Sequence, residues 1–352
     1  MTSAVDLFEA ELRLCGVHEG ETVAVLSQTE PQRAYARDFL AAARRLGAHS
    51  YEVGLPADSE AGGVDYVGVN PLSGNQAAIE ALKQADLMVD LVFLLFSTEQ
   101  HEIQESGTRI LLCIESLDVL GRLLPTPELR ERVECAAEVY AGAEVLRFTN
   151  AHGSDVTYQL GAYPVMTEYG YTDEPGRWDH WPSGFLFSGG RDDGVDGRVV
   201  IAPGDIVYPF NRYVQSPIEL TIEAGRIADI RGGLDADLMA DYMAGFDDEQ
   251  AYGISHIGWG LNERCRWSAL ATDPRSVGME GRAFYGNVLF STGPNQELGG
   301  SNDTSCHFDI PMRNCSLYLD DEPIVVDGDI VPEEMRPRSP REGLSESLCK
   351  RP

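Results

Sequence analysis

Short apolar runs alternate with stretches of helical period as far as Ala143, and this alternation limits the choice of fold more than any other feature of the chain. TVAVLS, from Thr22 to Ser27, reads as a buried strand. Gln32 to Leu46 then places Tyr35, Phe39, Ala42 and Leu46 on one helical face, and Gly47 follows as a stop. The pattern recurs as a helix over Gln76 to Gln84, a long apolar strand from Leu87 to Phe96 and a further strand at Ile110 to Ile114. Strands separated by helices predict a mainly parallel sheet with helices on its faces. Pro127 opens a helix in which Leu129, Val133, Ala136 and Tyr140 share a face. Residues 1–143 are therefore expected to form an α/β domain.

Beyond Ala143 the period changes. EVLRFT and DVTYQL read as two strands joined by the turn residues Asn150, Gly153 and Ser154. Short apolar segments follow at Arg198 to Ala202, Asp205 to Tyr208, Ile218 to Glu223 and Arg226 to Arg231, and a helix spans Leu234 to Ala244. Further strands are expected at Ala283 to Ser291, Ser305 to Ile310, Cys315 to Leu319 and Pro323 to Val326. Residues 144–335 are thus expected to form a strand-rich α+β domain, with 336–352 as a polar tail. The length of 352 residues agrees with two cores rather than one.

Composition excludes several classes of function. Hydrophobic residues at 43 % and charged residues at 24 % are globular usage. The net charge of −30 is spread along the whole chain and would repel a phosphate backbone, so no nucleic acid partner is expected. No apolar stretch approaches the ~18 residues of a membrane span, so no membrane association is expected either. Seven cysteines form an odd set without a CxxC pair, and Met1 to Val17 mixes charges with apolar positions. Both features suit a reducing, cytoplasmic compartment. Gly189–Gly190 and Gly299–Gly300 lack a phosphate-loop context, which disfavours nucleotide chemistry.

The chemistry concentrates in SCHFDIP, Ser305 to Pro311. On a strand, His307 and Asp309 face the same side, with Cβ atoms roughly 6 to 7 Å apart from two rises of ~3.3 Å. That spacing lets one metal ion sit between an imidazole and a carboxylate, half of a 2-His-1-carboxylate triad; taken alone, it more often marks a hydrogen-bonded structural pair. His256, in SHIGWGLN, is the best third ligand, on a tight loop that Gly258 and Gly260 would permit. His18 and His49 lie near element ends, and His152 falls in a hairpin turn.

TNAHGSDVTYQL, WPSG, ISHIGWGLN, YGNVLFSTG and LGGSNDTSCHFD, in that order, resemble the landmarks of the thermophilic aminopeptidase T family of metallopeptidases. The resemblance implies that scaffold across most of the chain. That family carries two metal ions, and here the sequence departs from it. One glutamate ligand falls on Phe185, another on His256, and a histidine ligand on Leu289, while His307 and Asp309 are kept. The implied result is one metal held by two His and one Asp.

SHIGWGLN, FSTGPN and HFDIPMR also resemble the 2,5-dihydroxypyridine 5,6-dioxygenase family, which shares the scaffold. This resemblance implies an iron(II) enzyme that opens a dihydroxypyridine ring with O2 to give N-formylmaleamate, in nicotinate degradation. Its ligands would be His256, His307 and Asp309 and its partners a small aromatic substrate and O2, while the resemblance to the aminopeptidase scaffold implies a homo-oligomer. The reaction needs proton transfers in the range where histidine titrates. His180, just before WPSG, is the first choice for them. His101, beyond the end of an apolar strand, is the second and reads equally well as a surface histidine. Glu168 and Ser291 are candidates for substrate hydrogen bonds. An aminopeptidase-like hydrolase with an altered metal set is the alternative enzyme, and a metal-dependent sensor the alternative without catalysis.

Overall fold

The computed structural model describes residues 3–57, 70–95, 97–273 and 276–338. These form two compact units, one of Met1–Pro125, Tyr169–Ser183 and Arg275–Val277, the other of Thr126–Glu168, Gly184–Pro274 and Gly278–Pro352.

The first unit is built on a parallel sheet in the order His49–Gly54, Thr22–Ser27, Leu87–Asp90, Arg109–Leu112, Trp178–His180. The strands Leu87–Asp90 and Arg109–Leu112 are buried at every position, as a sheet covered on both faces requires. Two helices explain part of the cover. Ala4–Leu14 starts at a Ser3/Asp6 capping box, and Glu30–Arg45 begins with Thr29 and a proline in its first turn. Their apolar faces meet where Phe8 stacks on Phe39 at 3.8 Å. On another side, Ile79, Leu82, Met88, Leu94, Ile103 and Ile110 share a buried cluster.

The strand expected over Leu87 to Phe96 ends at Asp90. The Asp90 carboxylate accepts from the backbone N–H of Val92 (2.8 Å), Phe93 (3.0 Å) and Leu94 (2.8 Å), and Phe93 takes φ 70°. A carboxylate that binds the next backbone donors turns the chain out of the sheet, however apolar the residues beyond it are. Phe96 lies outside the described residues, as do residues 339–352 of the expected tail.

The second unit has an eight-stranded antiparallel sheet and a five-stranded one. The smaller runs in the order Phe308–Met312, Val288–Thr292, Ile254–Gly260, Phe185–Gly189, Met166–Glu168. Three expectations change here. SHIGWGLN is mostly a buried strand rather than a loop. Its glycines serve close backbone approach: a Cβ on Gly258 would lie 1.9 Å from the Leu186 carbonyl oxygen, and one on Gly260 2.3 Å from that of Phe284. Ala283 ends a short helix, Met279–Ala283, and the strand proper begins at Val288. The strand expected from Ser305 to Ile310 begins at Phe308, so His307 stands just before it. No helix among the described residues is long and apolar enough to cross a membrane.

Candidate metal centre

Residues paired directly across antiparallel strands share a face, and alternate residues along each strand share it too. Asp309 pairs with Ser291, Leu289 with Gly258, Gly258 with Phe187, His256 with Gly189, and Phe185 with Glu168. One face of the five-stranded sheet therefore carries Glu168, Phe185, Phe187, His256, Leu289, Ser291 and Asp309. Between Ile254 and Ile257 the register to the neighbouring strand shifts.

His256, His307 and Asp309 each offer one ligand atom, and these atoms lie within 4.8 Å of one another. Asp309 Oδ1 is 3.3 Å from Nε2 of His256 and 3.3 Å from Nε2 of His307. His307 donates Nδ1–H to the Thr292 carbonyl at 3.1 Å, which leaves Nε2 as the lone-pair nitrogen facing Asp309. The other carboxylate oxygen, Oδ2, accepts from Arg282 Nε at 2.7 Å. Arg282 in turn lies over the Tyr208 ring, 4.0 Å from its centroid. Phe187 stands 4.6 Å from the His256 ring and 5.8 Å from Phe185.

Burial alone would push the Asp309 carboxyl up, but His307 and the Arg282 guanidinium beside it hold it well below the usual range. Burial would likewise lower His307, and the Asp309 carboxylate outweighs it, so the imidazole is raised. A buried anion between two imidazoles, with Oδ1 accepting no hydrogen bond among the described residues, is a donor set that fits a divalent metal ion.

The sequence pattern of the family described as NicX, 2,5-dihydroxypyridine 5,6-dioxygenase, matches residues 3–332. The 2,5-dihydroxypyridine 5,6-dioxygenase of Pseudomonas putida KT2440 is 49 % identical over 340 residues, 94 % of this chain and 97 % of that one. The chain belongs to the 2,5-dihydroxypyridine 5,6-dioxygenase family. The solved 2,5-dihydroxypyridine dioxygenase from Pseudomonas putida KT2440 superimposes with a TM-score of 0.91 at 48 % identity, covering 95 % of this chain and 98 % of that chain. AmpT from Thermus thermophilus shares the fold, with a TM-score of 0.67 at 13 % identity, covering 94 % of this chain and 99 % of its own. The expected scaffold and α/β class are thus those of the family.

Within this dioxygenase-family chain the other expected site residues fall as follows. Ser291 is buried beside Asp309, and its hydroxyl donates to the Phe308 carbonyl at 2.9 Å. Glu168 is buried on the same face of the sheet, and its charge acts on Arg282. His180 is buried at the end of the Trp178–His180 strand of the first unit, with Nε2 3.5 Å from the Ser183 hydroxyl. His101 is exposed on the helix Thr98–Glu105 of the same unit. Arg282 had no sequence signal: it lies on a five-residue helix and reaches Asp309 only through the fold. Glu297 is a second residue of this kind, with charge effects from His256, His307 and Asp309.

Proposed function

We propose that the protein opens the ring of 2,5-dihydroxypyridine with O2 to give N-formylmaleamate, using iron(II) held by His256, His307 and Asp309. The observation that carries this reading is the identity of 49 % over 94 % of the chain to an enzyme named for that reaction, together with a two-His, one-Asp cluster in which His256 and Asp309 are buried and His307 is half-buried. Iron(II) in such a set supplies open coordination positions and a redox centre that couples an electron-rich ring to O2. The chain's own residues do the rest. Phe187 and Phe185 form an aromatic wall beside His256 against which a flat ring can lie. Arg282 fixes the orientation of the Asp309 carboxylate and adds positive charge where an anionic substrate would form. Ser291, committed as a donor to Phe308, can meet a substrate donor through its oxygen lone pair, and Glu168 can accept from a ring N–H or hydroxyl. Proton transfer is assigned to His180 first and His101 second.

The reading extends to a cytoplasmic homo-oligomer that takes neither nucleic acid nor membrane as a partner. Six cysteines among the described residues are buried and none of the six is in a disulfide, in keeping with a reducing compartment. The test is anaerobic reconstitution with iron(II), then oxygen uptake on 2,5-dihydroxypyridine, with mass spectrometry of the product. Uptake of one O2 per ring with about one iron per chain supports the reading; an iron-loaded protein that consumes no O2 with this substrate refutes it.

A further inference from the structure

We infer that Glu297 is a positioning residue for the metal centre: its carboxylate accepts the Nδ1–H of His256 through one bridging water, and so fixes the imidazole that the proposed site uses as a ligand. The inference rests on the metal-site reading above. Its starting point is an asymmetry between the two histidines. His307 Nδ1 is held by the Thr292 carbonyl at 3.1 Å, whereas His256 Nδ1 is buried and has no hydrogen bond to the described residues. A histidine that binds a metal through one ring nitrogen needs an acceptor at the other, to fix the tautomer and the ring plane.

Both carboxylate oxygens of Glu297 are shut off from solvent and accept no hydrogen bond among the described residues. Among charged groups, His256 acts on Glu297 most strongly, followed by His307. The turn that carries Glu297 is fixed against the His256 strand. Ser255, the residue before His256, donates its hydroxyl to the Pro294 carbonyl. A Cβ on Gly189, which pairs with His256, would lie 3.0 Å from Leu298 Cδ1 and 3.5 Å from the Ser255 carbonyl oxygen. The turn itself is closed by Asn295, whose carbonyl accepts from Leu298 N at 3.1 Å and from Gly300 N at 3.0 Å. A buried acceptor without a donor and a buried donor without an acceptor thus flank the same strand position, and pairing them satisfies both.

The experiment loads the parent protein, Glu297→Gln and Glu297→Ala with cobalt(II). The dissociation constant is measured by competition with a chromophoric chelator. Proton NMR then follows the exchangeable, paramagnetically shifted imidazole N–H signals. The parent is expected to show two such signals, one for each histidine. Glu297→Ala should weaken cobalt about 10- to 100-fold, the usual cost of losing an outer partner of a ligating histidine. It should also lose the His256 signal to solvent exchange while the His307 signal stays, which shows that the fold is intact. Glu297→Gln keeps an acceptor oxygen and should retain the signal with a smaller loss of affinity. An alanine variant with parental affinity and both signals intact overturns the role of Glu297. A parent that binds no cobalt overturns the metal site itself.

Discussion

His307 is held at Nδ1 by the Thr292 carbonyl and Asp309 at Oδ2 by Arg282, so neither side chain is free to swing away from the site. Removing either leaves two donors, which hold iron(II) poorly. His307→Ala and Asp309→Ala are each expected to lose iron and ring cleavage while keeping the circular dichroism of the parent. Metal analysis after desalting checks this, and full occupancy in either variant would remove the residue from the ligand set. His180 is a different case, because its role is assigned to proton transfer. His180→Ala should bind iron normally and turn over roughly 10²- to 10⁴-fold more slowly, with one limb of the pH–rate profile gone. Oxygen uptake across pH, with iron assayed in the same samples, decides it. An unchanged profile would transfer the assignment to His101, and a loss of iron would make His180 a ligand.

The strand Ile254–Gly260 holds His256 by pairing with neighbours on both sides, and Gly258 lets the Leu186 backbone approach to a distance no side chain tolerates. Gly258→Ala is expected to cost more than about 3 kcal/mol, because the clash is with backbone inside a buried sheet. Urea unfolding measures it, and a midpoint equal to the parent's would show that the sheet can shift at no cost. In the first unit, the helix Ala4–Leu14 buries Glu11 completely. Burial first, and the Asp179 carboxylate second, raise the Glu11 carboxyl well above its ordinary 4.5, against a small lowering by the Cys15 thiol. Asp179 itself accepts from the N–H groups of Tyr169, Gly170 and His180 and from Arg177. A raised folded pKa means stability that is fully present below about pH 4.5 and lost as pH rises toward the folded value. Glu11→Gln should remove this loss, so the stability of the variant relative to the parent should rise between a pH below 4.5 and a pH above it, as the direction of the Glu11 shift requires. Parallel urea midpoints at both pH values for parent and variant would contradict it.

At the scale of the whole molecule, the three donors come from two separate strands and the residue before one of them, so the set exists only in the folded chain. A metal that binds the folded state alone stabilises it by mass action, about 4 kcal/mol at a thousandfold excess over its dissociation constant. Anaerobic calorimetry is expected to show a melting temperature that climbs with iron(II) and falls on chelation, with no response in Asp309→Ala. The net charge of −30 gives any divalent ion a screening effect, so magnesium is the control. A parent whose melting temperature answers magnesium and iron(II) equally would lack the specific site.

Hydrophobic period alone determined the α/β class and most elements, because strands and helices bury faces of different spacing. Thr22–Ser27, Pro127–Ala141, Ile218–Glu223 and Leu234–Ala244 are legible in this way. The two-residue spacing of His307 and Asp309 was equally legible, and it holds even though the strand begins between them at Phe308. Local hydropathy could not show that Asp90 turns the chain after four residues, since the cause is a side chain satisfying backbone donors rather than an apolar period. Nor could it show that Gly258 and Gly260 belong to a strand, because glycine marks a loop and a close backbone approach alike. Arg282 and Glu297 were invisible for a stronger reason. Their meaning lies in what they pack against, and only tertiary packing brings a guanidinium from a short helix to Asp309, or sets the turn that carries a carboxylate against the His256 strand.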